Sequence, residues 1–182
     1  MVKRLGFCFA LLSLLILLSG CDNNTELMKA TIDGDASLVN SLIAQGSDVN
    51  ARNNYGWTAL AHAARKNQSE ILKLLLDNGA QINTQDQRGW SALMRAAAKG
   101  NDVCVDVLVS RGADVELKDK DGWTALLWAV NQEHLTTAEK LITAGADVNV
   151  KAIDGRTPMM ISHSQGNTQM GELLSQAGGK FQ

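Results

Sequence analysis

The sequence predicts an all-α repeat solenoid, a stack of about five 33-residue helix-turn-helix-loop units. Three observations carry this. Glycine recurs at Gly46, Gly79, Gly112, Gly145 and Gly178, and again at Gly56, Gly89, Gly122 and Gly155, always 33 residues apart. Leucine keeps the same period at Leu42, Leu75, Leu108, Leu141 and Leu174, and small residues keep it at Ala30, Ala63, Ala96, Ala129 and Ser162. A hydroxyl column, Thr25, Thr58, Ser91, Thr124 and Thr157, precedes an apolar run marked by Leu27, Leu60, Leu93, Leu126 and Met159. A fixed period of this length is the mark of stacked supersecondary units. The units run approximately 20–52, 53–85, 86–118, 119–151 and 152–182.

Each element of the unit has a local cause. Thr58 offers a hydroxyl to the free N–H groups that open a helix. The first helix is expected near Ala59–Lys66, where Leu60, Ala63 and Ala64 follow i, i+3, i+4 spacing and mark the buried face. Small alanines let a neighbouring helix come close. The second helix is expected from about Ser69 to Asn78, with Ile71, Leu72, Leu75 and Leu76 inward. Gly79 ends it, because glycine takes the left-handed conformation without cost. Ala80 to Trp90 is a polar loop with one apolar anchor, Ile82, which Val49, Val115 and Val148 repeat. A helix pair this short cannot bury its own apolar face, so copies must stack into a continuous core.

Composition agrees. Sixteen glycines with one proline in 182 residues fit regularly spaced helix ends better than a linker. Lys+Arg 17 against Asp+Glu 19 gives a net charge of −2, with no bias toward nucleic acid. Three cysteines exclude a disulfide-dense scaffold.

The repeat resembles the ankyrin repeat. Gly79-Ala80-Gln81-Ile82-Asn83 and Gly145-Ala146-Asp147-Val148-Asn149 are similar to that family's glycine-alanine-aspartate-valine-asparagine signature. Asp154-Gly155-Arg156-Thr157-Pro158-Met159 is similar to its helix-opening signature. The resemblance covers Asn23 to about Gly179. It departs at Ala59, Ala92 and Ala125, where the family usually has proline. Alanine is the best helix former, so the fold stands. The family's usual histidine is replaced by Ala61, Met94 and Leu127, so its tying of the loops must pass to other groups. In the last unit Ser162, His163, Ser164 and Gln165 bring the polarity that an end cap needs.

The N-terminus reads as an address. Lys3 and Arg4 precede the apolar stretch Leu5–Leu18, which is short for a permanent span and suits a secretory signal over residues 1–20. Leu18-Ser19-Gly20-Cys21 resembles the lipobox of bacterial lipoproteins. That resemblance implies a lipidated Cys21 at a new N-terminus, hence a protein tethered to the membrane and facing the periplasm. Asp22 implies retention at the inner membrane. The domain is then 21–182, with 15 basic and 19 acidic residues and a net charge of −4. Cys104 remains as the one thiol, so no internal disulfide is expected.

Helical geometry puts His62, Arg65 and Lys66 on the face opposite Leu60, with Arg95 and Lys99 following in the next unit and Trp128 in the one after. Trp57, Trp90 and Trp123 share one column at the loop tips, beside Tyr55 and Arg88. The ankyrin resemblance implies that this face and these tips line a concave groove for a partner. Tryptophan is the residue most enriched at interface hot spots, so the column suits an anchor row; the competing interpretation is that the indoles stiffen the stack, and both can hold. The basic residues suit an acidic patch on a protein partner, or are a solvated helix face. Nucleic acid fits poorly with an export signal.

No cofactor, metal or catalytic group is expected. His62, His134 and His163 fall in different columns and units, without the spacing of paired ligands. Cys104 occupies the inward column of Ile71. Asp119-Lys120-Asp121-Gly122 is faintly like a calcium loop but lacks the later glutamate. The expectation is a monomeric, lipid-anchored envelope module that binds another protein and is not an enzyme. The resemblance to envelope ankyrin proteins implies either peroxide defence or protection against a toxic effector. A passive scaffold is the alternative.

Overall fold

The computed structural model describes residues 23–181. The basic start, the apolar run, Cys21 and Asp22 lie outside the described residues. Among the described residues ten helices follow one another in pairs: α1 (Glu26–Asp33) with α2 (Ala36–Ala44), α3 (Ala59–Arg65) with α4 (Ser69–Asp77), α5 (Ala92–Ala97) with α6 (Asp102–Ser110), α7 (Ala125–Asn131) with α8 (Leu135–Thr143), and α9 (Pro158–Ser164) with α10 (Thr168–Gln176). Among the described residues there is no strand. Each pair packs mainly on the pairs before and after it, α3 on α1 and α5, α5 on α7, α6 on α4 and α8.

Sequence dictates where each first helix starts. The hydroxyls of Thr25, Thr58, Ser91, Thr124 and Thr157 accept from Met28, Ala61, Met94, Leu127 and Met160 N–H at 3.2–3.4 Å. Each fills the place of a missing intrahelical acceptor. The helices stop a residue short of their expected ends, at Arg65 and Asp77, because Lys66 and Asn78 already serve as C-caps. The leucine and alanine columns form the core: Leu75, Leu108, Leu141, Ala63, Ala96 and Ala129 are fully buried. Ser162 is buried too, unlike its exposed neighbours His163, Ser164 and Gln165, and donates to Met159 C=O at 3.4 Å. Of the four, those three are solvated.

Two glycine columns do different work. Gly79 has φ +84, and a Cβ there would meet nothing within 4 Å, so only its backbone conformation demands glycine. Gly89 has φ +83, and its Cβ would lie 2.8 Å from Asp119 Cα, so the next loop itself occupies the space. That closeness lets neighbouring loops bond: Gln87 N–H donates to Tyr55 C=O at 3.1 Å, and Lys120 N–H to Arg88 C=O at 3.0 Å. On the other side of the stack, Asn50, Asn83, Glu116 and Asn149 accept from Gln81, Asp114, Asp147 and Lys180 N–H, each in the following unit, at 2.8–2.9 Å. These groups take over the loop-tying work. The result is a set of loop tips fixed in register.

Cys104 sits on α6 without exposure, and burial pushes its thiol up to about 11. It is a packed apolar group that resists ionising.

Candidate binding groove

The groove is built on a short loop motif repeated at each tip, Asn53-x-x-Gly56-Trp57, Asp86-x-x-Gly89-Trp90 and Asp119-x-x-Gly122-Trp123. The first residue of each is buried. Its Oδ1 accepts two backbone N–H groups, from residues two and four ahead: Tyr55 and Trp57 for Asn53, Arg88 and Trp90 for Asp86, Asp121 and Trp123 for Asp119, at 2.7–3.0 Å. This is an Asx turn, and it aims the tryptophan that follows. Asp119 therefore ties its loop.

The second oxygen of each carboxylate reaches the column nine residues on. Asp86 Oδ2 holds Arg95 in a buried ion pair, and Asp119 Oδ2 accepts from Trp128 Nε1 at 2.9 Å. Two columns thereby interleave. His62 lies 4.9 Å from Trp57, the Arg95 guanidinium lies 3.2 Å from the Trp57 ring centre and 5.3 Å from that of Trp90, Trp128 lies 4.2 Å from Trp90 and 4.6 Å from Trp123, and Arg156 lies 4.8 Å from Trp123. Rings at such spacings attract through their edges and faces, and a guanidinium over an indole gains a cation–π contribution. The three expected tryptophans thus lie along one side without touching each other, and Arg95 and Trp128 fill the gaps between them.

Burial lowers the Arg95 guanidinium to about 10, against the opposing pull of Asp86. It is still charged at neutral pH, so the pair persists there.

The expected outward positions separate into two groups. Tyr55, Trp57, Arg65, Arg88, Trp90, Arg95, Lys99 and Trp128 all line one open hollow of about 560 Å³. Trp123 and His62 are buried and Lys66 is exposed, and none of these three lines the hollow. The exposure expected of His62 and Arg95 is thereby corrected. Both are buried because each packs on the loop tryptophan five residues before it, His62 at 4.9 Å from Trp57 and Arg95 at 5.3 Å from Trp90. The interleaved columns leave an open recess between α3, α5 and α7. The residues missed from sequence are Asp86 and Asp119. Their signal was available: an Asx four residues before a tryptophan, on the 33-residue period.

The wall carries exposed Arg65, Arg88 and Lys99, and none of the three forms an ion pair among the described residues. The one acid in the wall, Asp86, is spent on Arg95 and its own loop. Among the described residues no three His, Cys, Asp or Glu side chains gather where a metal could be held. No helix among them is long and apolar enough to cross a membrane. The arrangement offers aromatic faces and fixed positive charge for binding.

Comparison with curated proteins gave no match. The family model described as ankyrin repeats (3 copies) matches residues 2–86 and 81–152. With this match over most of its length and a paired-helix stack on the same period, the chain belongs to the ankyrin-repeat family.

Proposed function

We propose that the protein is a lipid-tethered envelope module whose groove binds another protein. Ankyrin repeats generally mediate protein–protein interaction. The observation that carries the assignment to this groove is the locked ladder of Trp57, Arg95, Trp90 and Trp128 under an open hollow. Side chains already held in place lose little freedom on binding, so their contact energy appears as affinity. Indole and guanidinium groups are also the ones that dominate interface energetics. The action is binding rather than catalysis, and protection against a toxic effector or support of peroxide defence are the biological settings in which such binding serves an envelope protein.

The tether rests on the lipobox at Cys21. One acyl chain gives only reversible membrane binding, and several give a stable anchor. Changing Cys21→Ser should move the protein from the membrane to the soluble fraction on extraction in high salt. Continued sedimentation with membranes would contradict lipid attachment.

Photocrosslinking tests the groove. Tyr55 at the groove lip and Val103 on α6 are 53% and 52% exposed, so a photoreactive phenylalanine at either has equal access to solvent. In intact envelopes, position 55 should trap one discrete protein and position 103 none. Equal trapping from both positions would make contact non-specific, as a passive scaffold requires.

A further inference from the structure

The groove's charge is graded along the stack. The tip column reads Tyr55, Arg88, Asp121, Asp154, and the helix column behind it reads Lys66, Lys99, Gln132, Gln165. The positive charge that lines the hollow is therefore confined to the α3 and α5 units. In the α7 unit the hollow is lined by Trp128 and Gln132, without charge, and beyond it the tips mix Lys120 and Arg156 with Asp121 and Asp154. Arg65, Arg88 and Lys99 have no carboxylate partner among the described residues, although the chain as a whole is net negative.

Resting on the protein-binding assignment above, we propose that the occupant is an extended acidic segment of the partner, laid in one direction. Its carboxylates sit over Arg65, Arg88 and Lys99, and a neighbouring aromatic or aliphatic side chain packs on the parts of Trp90 and Trp128 that line the hollow. The direction follows from electrostatics, because the acidic end is attracted by the cations at α3 and α5, while the α7 end of the hollow offers Trp128 and Gln132 without charge. Neighbouring packed helices stand about 8–10 Å apart, so three units span about 20 Å, which at about 3.3 Å per residue some six extended residues cover.

The test is selection of a random-peptide display library on the full-length protein in detergent, with Arg88→Glu/Lys99→Glu and Trp57→Ala/Trp90→Ala variants panned in parallel. Enriched peptides should carry clustered Asp or Glu followed by an aromatic or aliphatic residue. A synthetic consensus peptide should perturb tryptophan fluorescence, since all four indoles of the chain lie in the ladder. Its affinity should fall at least roughly tenfold with the charge-reversal pair and fall with rising salt. Trp128→Arg, which keeps a donor to Asp119 as Arg95 does to Asp86, should remove the aromatic preference and leave the acidic one. Neutral or basic peptides enriched on the wild type but not on Trp57→Ala/Trp90→Ala would overturn the acidic-segment proposal and leave the protein-binding groove standing. Absence of any groove-dependent peptide, or an oligothymidylate that outcompetes the consensus peptide, would overturn the proposal and count against the protein-binding assignment with it.

Discussion

Arg95→Ala should destabilise the protein by about 3–5 kcal/mol, and Arg95→Trp should restore most of the loss. Arg95 and Asp86 are both buried, and Asp86 Oδ1 is already committed to Arg88 and Trp90 N–H. Alanine leaves the other oxygen charged, buried and without its partner. It also removes the cation held between Trp57 and Trp90. Tryptophan copies what the next unit already does, where Trp128 Nε1 satisfies Asp119 Oδ2 at 2.9 Å. A neutral donor then replaces the cation, and the desolvation that lowers the Arg95 pKa to about 10 is relieved. The check is the urea midpoint at neutral pH for wild type and the two variants. Equal losses for alanine and tryptophan would mean that the carboxylate does not organise the ladder.

A second large effect distinguishes the middle of the stack from its end. Leu108 in α6 and Leu174 in α10 occupy the same column and are both fully buried. Either change to alanine removes about 2–5 kcal/mol of packing locally. In a linear stack the consequence depends on place, because stability is the sum of unit and neighbour contributions. Leu108→Ala weakens a unit coupled on both sides, α4 and α8, and should lower the global midpoint. Leu174→Ala acts on the last pair, coupled on one side, and should let α9 and α10 open while α3 to α8 stay closed. Hydrogen exchange reads the difference: early exchange confined to residues of α9 and α10 for Leu174→Ala, and uniform acceleration for Leu108→Ala. Uniform acceleration in both would mean that the chain behaves as one two-state body.

Most of the architecture was legible because each unit repeats the same local causes. A hydroxyl before an apolar run, a leucine column and a glycine at the helix end recur at one spacing, and each acts through neighbours in sequence. The site was legible only in part. Trp57, Trp90, Arg95 and Trp128 could be placed on a common side from the 33-residue period. Their burial could not, because it depends on contacts between units: Arg95 meets Trp57 of the preceding unit, and Trp128 meets Trp90. Helical angle alone made His62 and Arg95 look outward. The carboxylates that position the ladder were hidden for a similar reason. Asp86 and Asp119 look like ordinary loop acids until the helix they face is folded back upon them.

On the proposed function, the tryptophan ladder forms the floor of a surface that meets a protein partner. The most direct measurement is the affinity of the crosslinked partner for wild type and for Trp57→Ala/Trp90→Ala, with melting temperature recorded on the same samples. Hot-spot residues each contribute about 2 kcal/mol or more, roughly thirtyfold apiece. The paired change should weaken binding at least about a hundredfold, while the melting temperature falls by only a few degrees. Unchanged affinity, or a collapsed melting temperature with no folded protein left to bind, would assign the indoles to holding the stack together and would contradict it.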